Sequence, residues 1–196
     1  MRPSIELADV LASGAFVRAF VTDRRSCARP LADHVALLKG CVDLVILREK
    51  DLGAKEYEAL AQDVSAACAR AGMAFAAHTQ VDVARRMGCS AVHLPLPLLR
   101  EQGRPAGFSC VGTNVHAAAE VSEAEALGAD LLIASPVFAP SCKPGAPFGG
   151  ASFLRDVVER ARIPVLALGG ITDESEQVVR ACGAAGACRM ADYARR

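Results

Sequence analysis

The sequence predicts an α/β fold, a single small (β/α)8 TIM barrel with a truncated final helix, occupying residues 1–196 as one domain. Three observations predict it. Short apolar runs bounded by turn residues alternate with helical segments along the whole chain. The runs number eight, the count that closes a parallel barrel. Polar residues and glycines gather just after the runs, where such barrels carry their chemistry. An open doubly wound sheet is the alternative architecture.

The elements follow in order. Strand one is Phe16 to Val21, closed by Thr22-Asp23-Arg24-Arg25, and Leu31 to Leu38 is helical. Strand two, Leu44 to Leu47, runs into Arg48-Glu49-Lys50-Asp51. A long amphipathic helix spans Ala54 to Ala71, with Tyr57, Leu60, Ala61, Val64 and Cys68 at helical spacing. Strand three is Met73 to Ala77, followed by His78-Thr79-Gln80, and a helix over Val81 to Met87 stops at Gly88. Strand four is Ala91 to Leu94, with Pro95 and Pro97 after it; strand five is Ser109 to Val111, ending at Gly112-Thr113-Asn114. A helix is expected over Val115 to Leu127, then strand six at Leu131 to Ala134 and a proline- and glycine-rich loop from Ser135 to Gly150. A helix over Phe153 to Ala161, strand seven at Pro164 to Leu168, a helix over Glu174 to Cys182, strand eight at Gly186 to Met190 and a stub from Ala191 to Arg196 complete the chain.

Composition excludes several function classes. Apolar residues make up 52% of the chain, ample for one core. The 22 basic residues balance 22 acidic ones without a basic stripe, so neither nucleic acid nor an anionic membrane is an expected partner. No apolar run approaches a membrane span. The start of the chain lacks the layout of a secretory signal, and a reducing cytoplasm is the expected location. The eight cysteines show no Cys-x-x-Cys spacing, which argues against zinc and thioredoxin-type chemistry. Cys68, Cys110 and Cys188 lie among small or apolar residues and read as buried thiols.

The candidate site gathers at the carboxyl ends of the strands: Arg48, Lys50, His78, His93, Thr113, His116, Ser135, Lys143, Gly169 and Gly170. Gly169-Gly170 ends a strand and leads into the helix start Thr172-Asp173-Glu174. Glycines let a phosphate approach the backbone, and amides at a helix start point at it. An ordinary strand-to-helix turn has the same pattern, and the position after strand seven, a usual phosphate site of such barrels, favours the anion. The amides of Met190 and Ala191 would complete the cup. Arg48 and Lys50 alternate, so both are expected to point one way, towards an anion. His93 reads as a core residue, His34 as a surface one, and His78 as a substrate contact or a space filler.

Five segments together resemble the thiamine phosphate synthase and TenI family: Val21-Thr22-Asp23-Arg24-Arg25; Leu47-Arg48-Glu49-Lys50-Asp51-Leu52; Gly88-Cys89-Ser90-Ala91-Val92-His93-Leu94; Gly128-Ala129-Asp130 running on to Ser135-Pro136-Val137-Phe138; and Ile163-Pro164-Val165 through Gly169-Gly170-Ile171-Thr172. The resemblance implies a thiamine-type barrel acting on a thiazole phosphate, with a homodimer as the typical assembly. The synthases of this family join a pyrimidine diphosphate to a thiazole phosphate and expel pyrophosphate. Their Mg²⁺ is held by two aspartates, whose positions fall at Thr79 and Leu98, and a family glutamine is replaced by Ile46. Mg²⁺ requires oxygen ligands, so no metal cofactor is expected unless the synthase reading holds.

The TenI branch converts one thiazole phosphate carboxylate tautomer into the aromatic one without that metal site. The family's histidine after strand five falls at His116, in Asn114-Val115-His116, and suits a proton shift because imidazole titrates near neutrality. The loop around Cys142-Lys143 is similar to a TenI loop, which implies that Lys143 holds a carboxylate or phosphate. On these grounds the sequence reads first as a thiazole tautomerase, an isomerase using His116. A thiamine phosphate synthase is the alternative, with Glu49, Asp51 or a substrate phosphate compensating for the lost aspartates. A non-catalytic phosphate-ligand binder and a divergent phosphosugar-type barrel enzyme come after it.

Overall fold

Aliphatic runs too short for independent helices become eight parallel strands. The computed structural model describes residues 5–139 and 147–196. The strands are β1 (Val17–Val21), β2 (Leu44–Leu47), β3 (Ala74–His78), β4 (Ala91–Pro95), β5 (Cys110–Val115), β6 (Leu131–Ala134), β7 (Val165–Leu168) and β8 (Gly186–Arg189). Each pairs with the next, and β8 pairs with β1, so the sheet closes into a barrel. The helices are α1 (Leu7–Ala12), α2 (Leu31–Leu37), α3 (Ala54–Ala71), α4 (Val81–Arg86), α5 (Leu96–Gln102), α6 (Val121–Ala126), α7 (Gly150–Arg160), α8 (Asp173–Ala181) and the four-residue α9 (Ala191–Ala194).

The two-residue period of the strands divides the core in two. Ala19, Ile46, Ala76, Cys110, Ile133 and Cys188 belong to the cluster inside the barrel. Their neighbours Phe20, Val45, Ala77, Val111, Leu132 and Ala187 pack outward against the helices. Burial pushes the Cys68 and Cys110 thiols up to about 12 and raises Cys188 as well. These thiols are inert at neutral pH.

Several elements depart from the sequence reading. Helix α1 places Leu7 with the interior cluster, although no element was expected there. Helix α5 lies where no element was expected; Pro97 falls in its first turn, where no intrahelical amide bond is lost. Strand β5 runs on to Val115, paired with Ala134. The helix expected from Val115 starts late because the Glu120 carboxylate accepts the amides of His116 and Ala117 at 2.6 and 3.2 Å. A 3-10 turn (Ala118–Glu120) then leads into α6. His34 is buried, not surface, and its Nε2 lies 2.8 Å from the Tyr193 carbonyl, because α9 folds back over α2. Arg189, on the outer face of β8, is also buried; it binds Asp173, Glu176 and Asp192 and so ties α8 and α9 to the barrel. Among the described residues no helix is long and apolar enough to cross a membrane.

One bond positions the end of β3. The buried Tyr57 hydroxyl of α3 donates to the Leu47 carbonyl at 2.7 Å and accepts the His78 amide at 2.9 Å. Tyr57→Phe leaves both backbone groups unpaired, and urea denaturation should show a loss of about 2 kcal/mol.

Candidate functional site

The carboxyl ends of the strands form a mouth whose occupants follow from the inward register. Inward residues of β2 are Leu44 and Ile46, and Arg48 continues their side. Its half-buried guanidinium meets no carboxylate among the described residues, while its amide donates to Thr22 Oγ1 at 2.9 Å. Glu49 points the other way and is buried. It accepts Thr22 Oγ1 at 2.6 Å, and the Arg24 amide and guanidinium at 3.0 Å each. Asp51 is held by Arg24 at 2.6 Å and by Arg25 at 2.8 Å. The charged turn therefore splits into a cationic side towards the mouth and an acidic side closed by arginines. Lys50 is exposed beyond the strand end, and its charge, like that of Arg48, acts on His78.

His78 and His93 are register partners on β3 and β4. Their rings stack at 5.3 Å between centroids, 16° from parallel. Gly112, the partner of His93 on β5, leaves room for the ring; a Cβ there would lie 3.1 Å from His93 Cδ2. Burial, then the neighbouring His93, Arg48 and Lys50, lower His78 to about 3. Burial and Arg48 lower His93 to about 4. Both imidazoles are uncharged at neutral pH. The core placement of His93 agrees with the sequence reading, yet neither of its ring nitrogens has a protein partner among the described residues.

His116 stands exposed beyond β5. Its Nδ1 lies 2.5 Å from the Ser135 carbonyl, which only accepts, so Nδ1 carries the proton. Its Nε2 is then the lone-pair nitrogen, and the Asn114 amide donates to it at 2.7 Å. Turning that amide over would present an acceptor to a protonated Nε2. Asn114 is the hydrogen-bond partner of His116 that sequence reasoning missed, although its place two residues before His116 was a usable signal.

The remaining expected residues divide. Thr113 lies outside the mouth: its register partners Leu94 and Leu132 face the helices, and its hydroxyl is buried with them. The two-residue period puts Thr113 opposite to Gly112 and Asn114. Gly169 and Gly170 have left-handed φ values of 108° and 61°. Cβ atoms there would lie 2.8 Å from Pro136 Cα and 2.5 Å from the Ala139 carbonyl oxygen. The loop after β6 docks on them, with the Phe138 amide donating to the Gly169 carbonyl at 3.0 Å. Close approach of this loop accounts for both glycines by itself. The Thr172 amide at the start of α8 is taken by Ser175 Oγ at 2.9 Å. Met190 and Ala191, both half-buried, start α9 beside this loop's end of the barrel. Lys143 and Cys142 lie outside the described residues.

The family's Mg²⁺ does not fit the residues present. Thr79 and Leu98 line one cleft with Gln80, Asp82 and Gln102, so the two positions do face each other. Leu98 offers no oxygen, and the Thr79 hydroxyl donates to the His78 carbonyl at 2.6 Å. Glu49 and Asp51 are closed by arginines. Among the described residues no group of three or more His, Cys, Asp or Glu could hold a metal ion.

Known proteins share this barrel. The family model described as thiamine monophosphate synthase matches residues 19–192. The chain belongs to the thiamine monophosphate synthase family. A thiamine-phosphate synthase of Syntrophomonas wolfei is 34% identical over 176 residues, covering 85% of this chain and 83% of that protein. A putative thiamine-phosphate synthase 2 of Aquifex aeolicus is 34% identical over 174 residues, covering 85% and 91%. The solved thiamine phosphate pyrophosphorylase of Pyrococcus furiosus superposes with a TM-score of 0.78 at 26% identity, covering 92% of this chain and 88% of that one.

Two outcomes follow from the mouth of this family member. Unfolded imidazoles titrate near 6.5, above the folded values of about 3 and about 4. Below pH 6.5 the unfolded chain takes up protons first, so stability falls as pH drops and levels off near the folded values. Between pH 7 and pH 5 each histidine should cost on the order of 2 kcal/mol, read as a drop in urea midpoint that is smaller in His78→Asn. Thr79 holds φ at 64°, a left-handed conformation costly for a β-branched residue. Thr79→Asn should raise stability by about 0.5–1 kcal/mol in the same measurement.

Proposed function

We propose that this chain is a thiamine-phosphate synthase: it joins a thiazole phosphate to a pyrimidine diphosphate and releases pyrophosphate. Kinship at 34% identity over most of the chain supports this reading. The observation in the site that carries it is the Arg48 guanidinium, half-buried at the mouth with no carboxylate partner among the described residues. Such a guanidinium can take two oxygens of an anionic group in parallel. In the coupling, the thiazole nitrogen supplies the electron pair for the new carbon–nitrogen bond. The carbon–oxygen pair leaves with the diphosphate, so negative charge grows on the leaving group. Arg48 and Lys50 stabilise that charge, and a preorganised donor of this kind contributes most in a dry site. The stacked His78 and His93 form an uncharged wall beside it. The thiazole phosphate takes the β7–β8 side of the mouth, at the amides of Met190 and Ala191 near Gly169-Gly170, with Ser135 at the edge.

The sequence alone ranked a thiazole tautomerase first; neither relative named above is described as one. A specific observation keeps that reading second. His116 has its tautomer set by the Ser135 carbonyl and its Nε2 held by Asn114, an arrangement able to take and return one proton.

The test supplies both substrates and follows pyrophosphate and thiamine phosphate together. The coupling reading predicts equal amounts of both, and a fall in kcat/KM of about 100-fold or more in Arg48→Met. No coupled product, with a proton shift in the non-aromatic thiazole phosphate carboxylate that disappears in His116→Ala, would establish the second reading instead.

A further inference from the structure

The cleft beside the mouth retains the backbone of a metal site without its ligands. Thr79 sits at φ 64°, a region that Asp and Asn enter readily and β-branched residues avoid. Facing it across the cleft, Leu98 packs its side chain against the outer core. The nearby acids already face arginines. Glu49 is bound by Thr22 and Arg24, Asp51 by Arg24 and Arg25, and Asp82 by Arg85 at 2.8 Å. A hard divalent cation needs several oxygen ligands, and the described residues present no such set.

The mouth compensates with charge of its own. Arg48 lies on the inward side of β2, one residue past Leu47, whose register partner Ala77 precedes His78, so Arg48 and His78 end neighbouring strands side by side. The His78 ring stacks on His93 at the inward end of β3, and its backbone is fixed by the Tyr57 hydroxyl at 2.9 Å. A neutral imidazole has one N–H to donate to a phosphate oxygen, and a guanidinium donates two in parallel.

We infer that this chain neutralises the diphosphate of its substrate with Arg48, Lys50 and a hydrogen bond from His78, in place of a divalent cation. The inference rests on the coupling reading for the identity of the diphosphate. It makes His78 a substrate-binding residue.

Calorimetry with inorganic pyrophosphate and the full chain tests it, once in EDTA and once in excess Mg²⁺. Binding in EDTA at least as tight as in Mg²⁺ is expected. Arg48→Met should weaken it at least tenfold and His78→Asn at least threefold, with circular dichroism showing both variants folded. Binding that requires Mg²⁺, absence of binding in EDTA, or an unchanged affinity in folded His78→Asn overturns the inference. The two readings fail separately. Thiamine phosphate formed only with Mg²⁺, with pyrophosphate bound only as its magnesium complex, preserves the coupling and removes the metal-free cradle. Pyrophosphate held in EDTA without any coupled product removes the coupling and preserves the cradle.

Discussion

Closure of eight parallel strands into a ring is the constraint on which the rest depends. A closed sheet has no edge and no freedom of register, because a one-residue slip would carry every side chain to the other face. The alternation from Ala19 and Ile46 inside to Phe20 and Val45 outside is therefore continued at the strand ends. It delivers Arg48, His78, His93 and Asn114 to the mouth and turns Thr113 away. The interior is filled mainly by small and medium aliphatic groups, and polar groups collect only at its carboxyl end.

Charge is sorted by the same geometry. On the turn after β2, Glu49 is drawn into a buried pair with Arg24, while Arg48 has no carboxylate partner among the described residues. Around β8, Asp173, Glu176 and Asp192 surround the buried Arg189, and Arg18, Arg180 and Arg196 bind the same acids. That cluster anchors α8 and α9. Positive charge at the mouth thus lies at β2, and the Gly169-Gly170 side contributes backbone shape. A neutral histidine pair beside Arg48 is the electrostatic counterpart, since imidazolium there would repel the guanidinium.

The barrel was legible because it depends on local patterns. The runs at Leu44–Leu47 and Leu131–Ala134, and the helix Ala54–Ala71, have the bounds the sequence indicates. Misreadings occurred where distant contacts decide. His34 is buried by a segment that lies 159 residues further along the chain. The helix after β5 is delayed by the Glu120 carboxylate, and Pro97 falls in the first turn of α5. For the site, residue types at strand ends were readable, but facing was lost wherever a strand outran its apolar run. Strand five ends in Gly112-Thr113-Asn114, which reads as a turn; its continuation to Val115 is what turns Thr113 outward. The exchange of aspartates for Thr79 and Leu98 was visible in the sequence, whereas the closure of Glu49 and Asp51 by arginines required the fold.

A crystal structure of the chain grown in EDTA with pyrophosphate and a thiazole phosphate tests the central claim most directly. The account predicts pyrophosphate on the Arg48 guanidinium and the His78 imidazole, the thiazole phosphate on the β7–β8 side of the mouth near Gly169-Gly170, and the Thr79–Leu98 cleft without an anion or a cation. Pyrophosphate located away from Arg48, or a mouth left empty at saturating ligand, would contradict it.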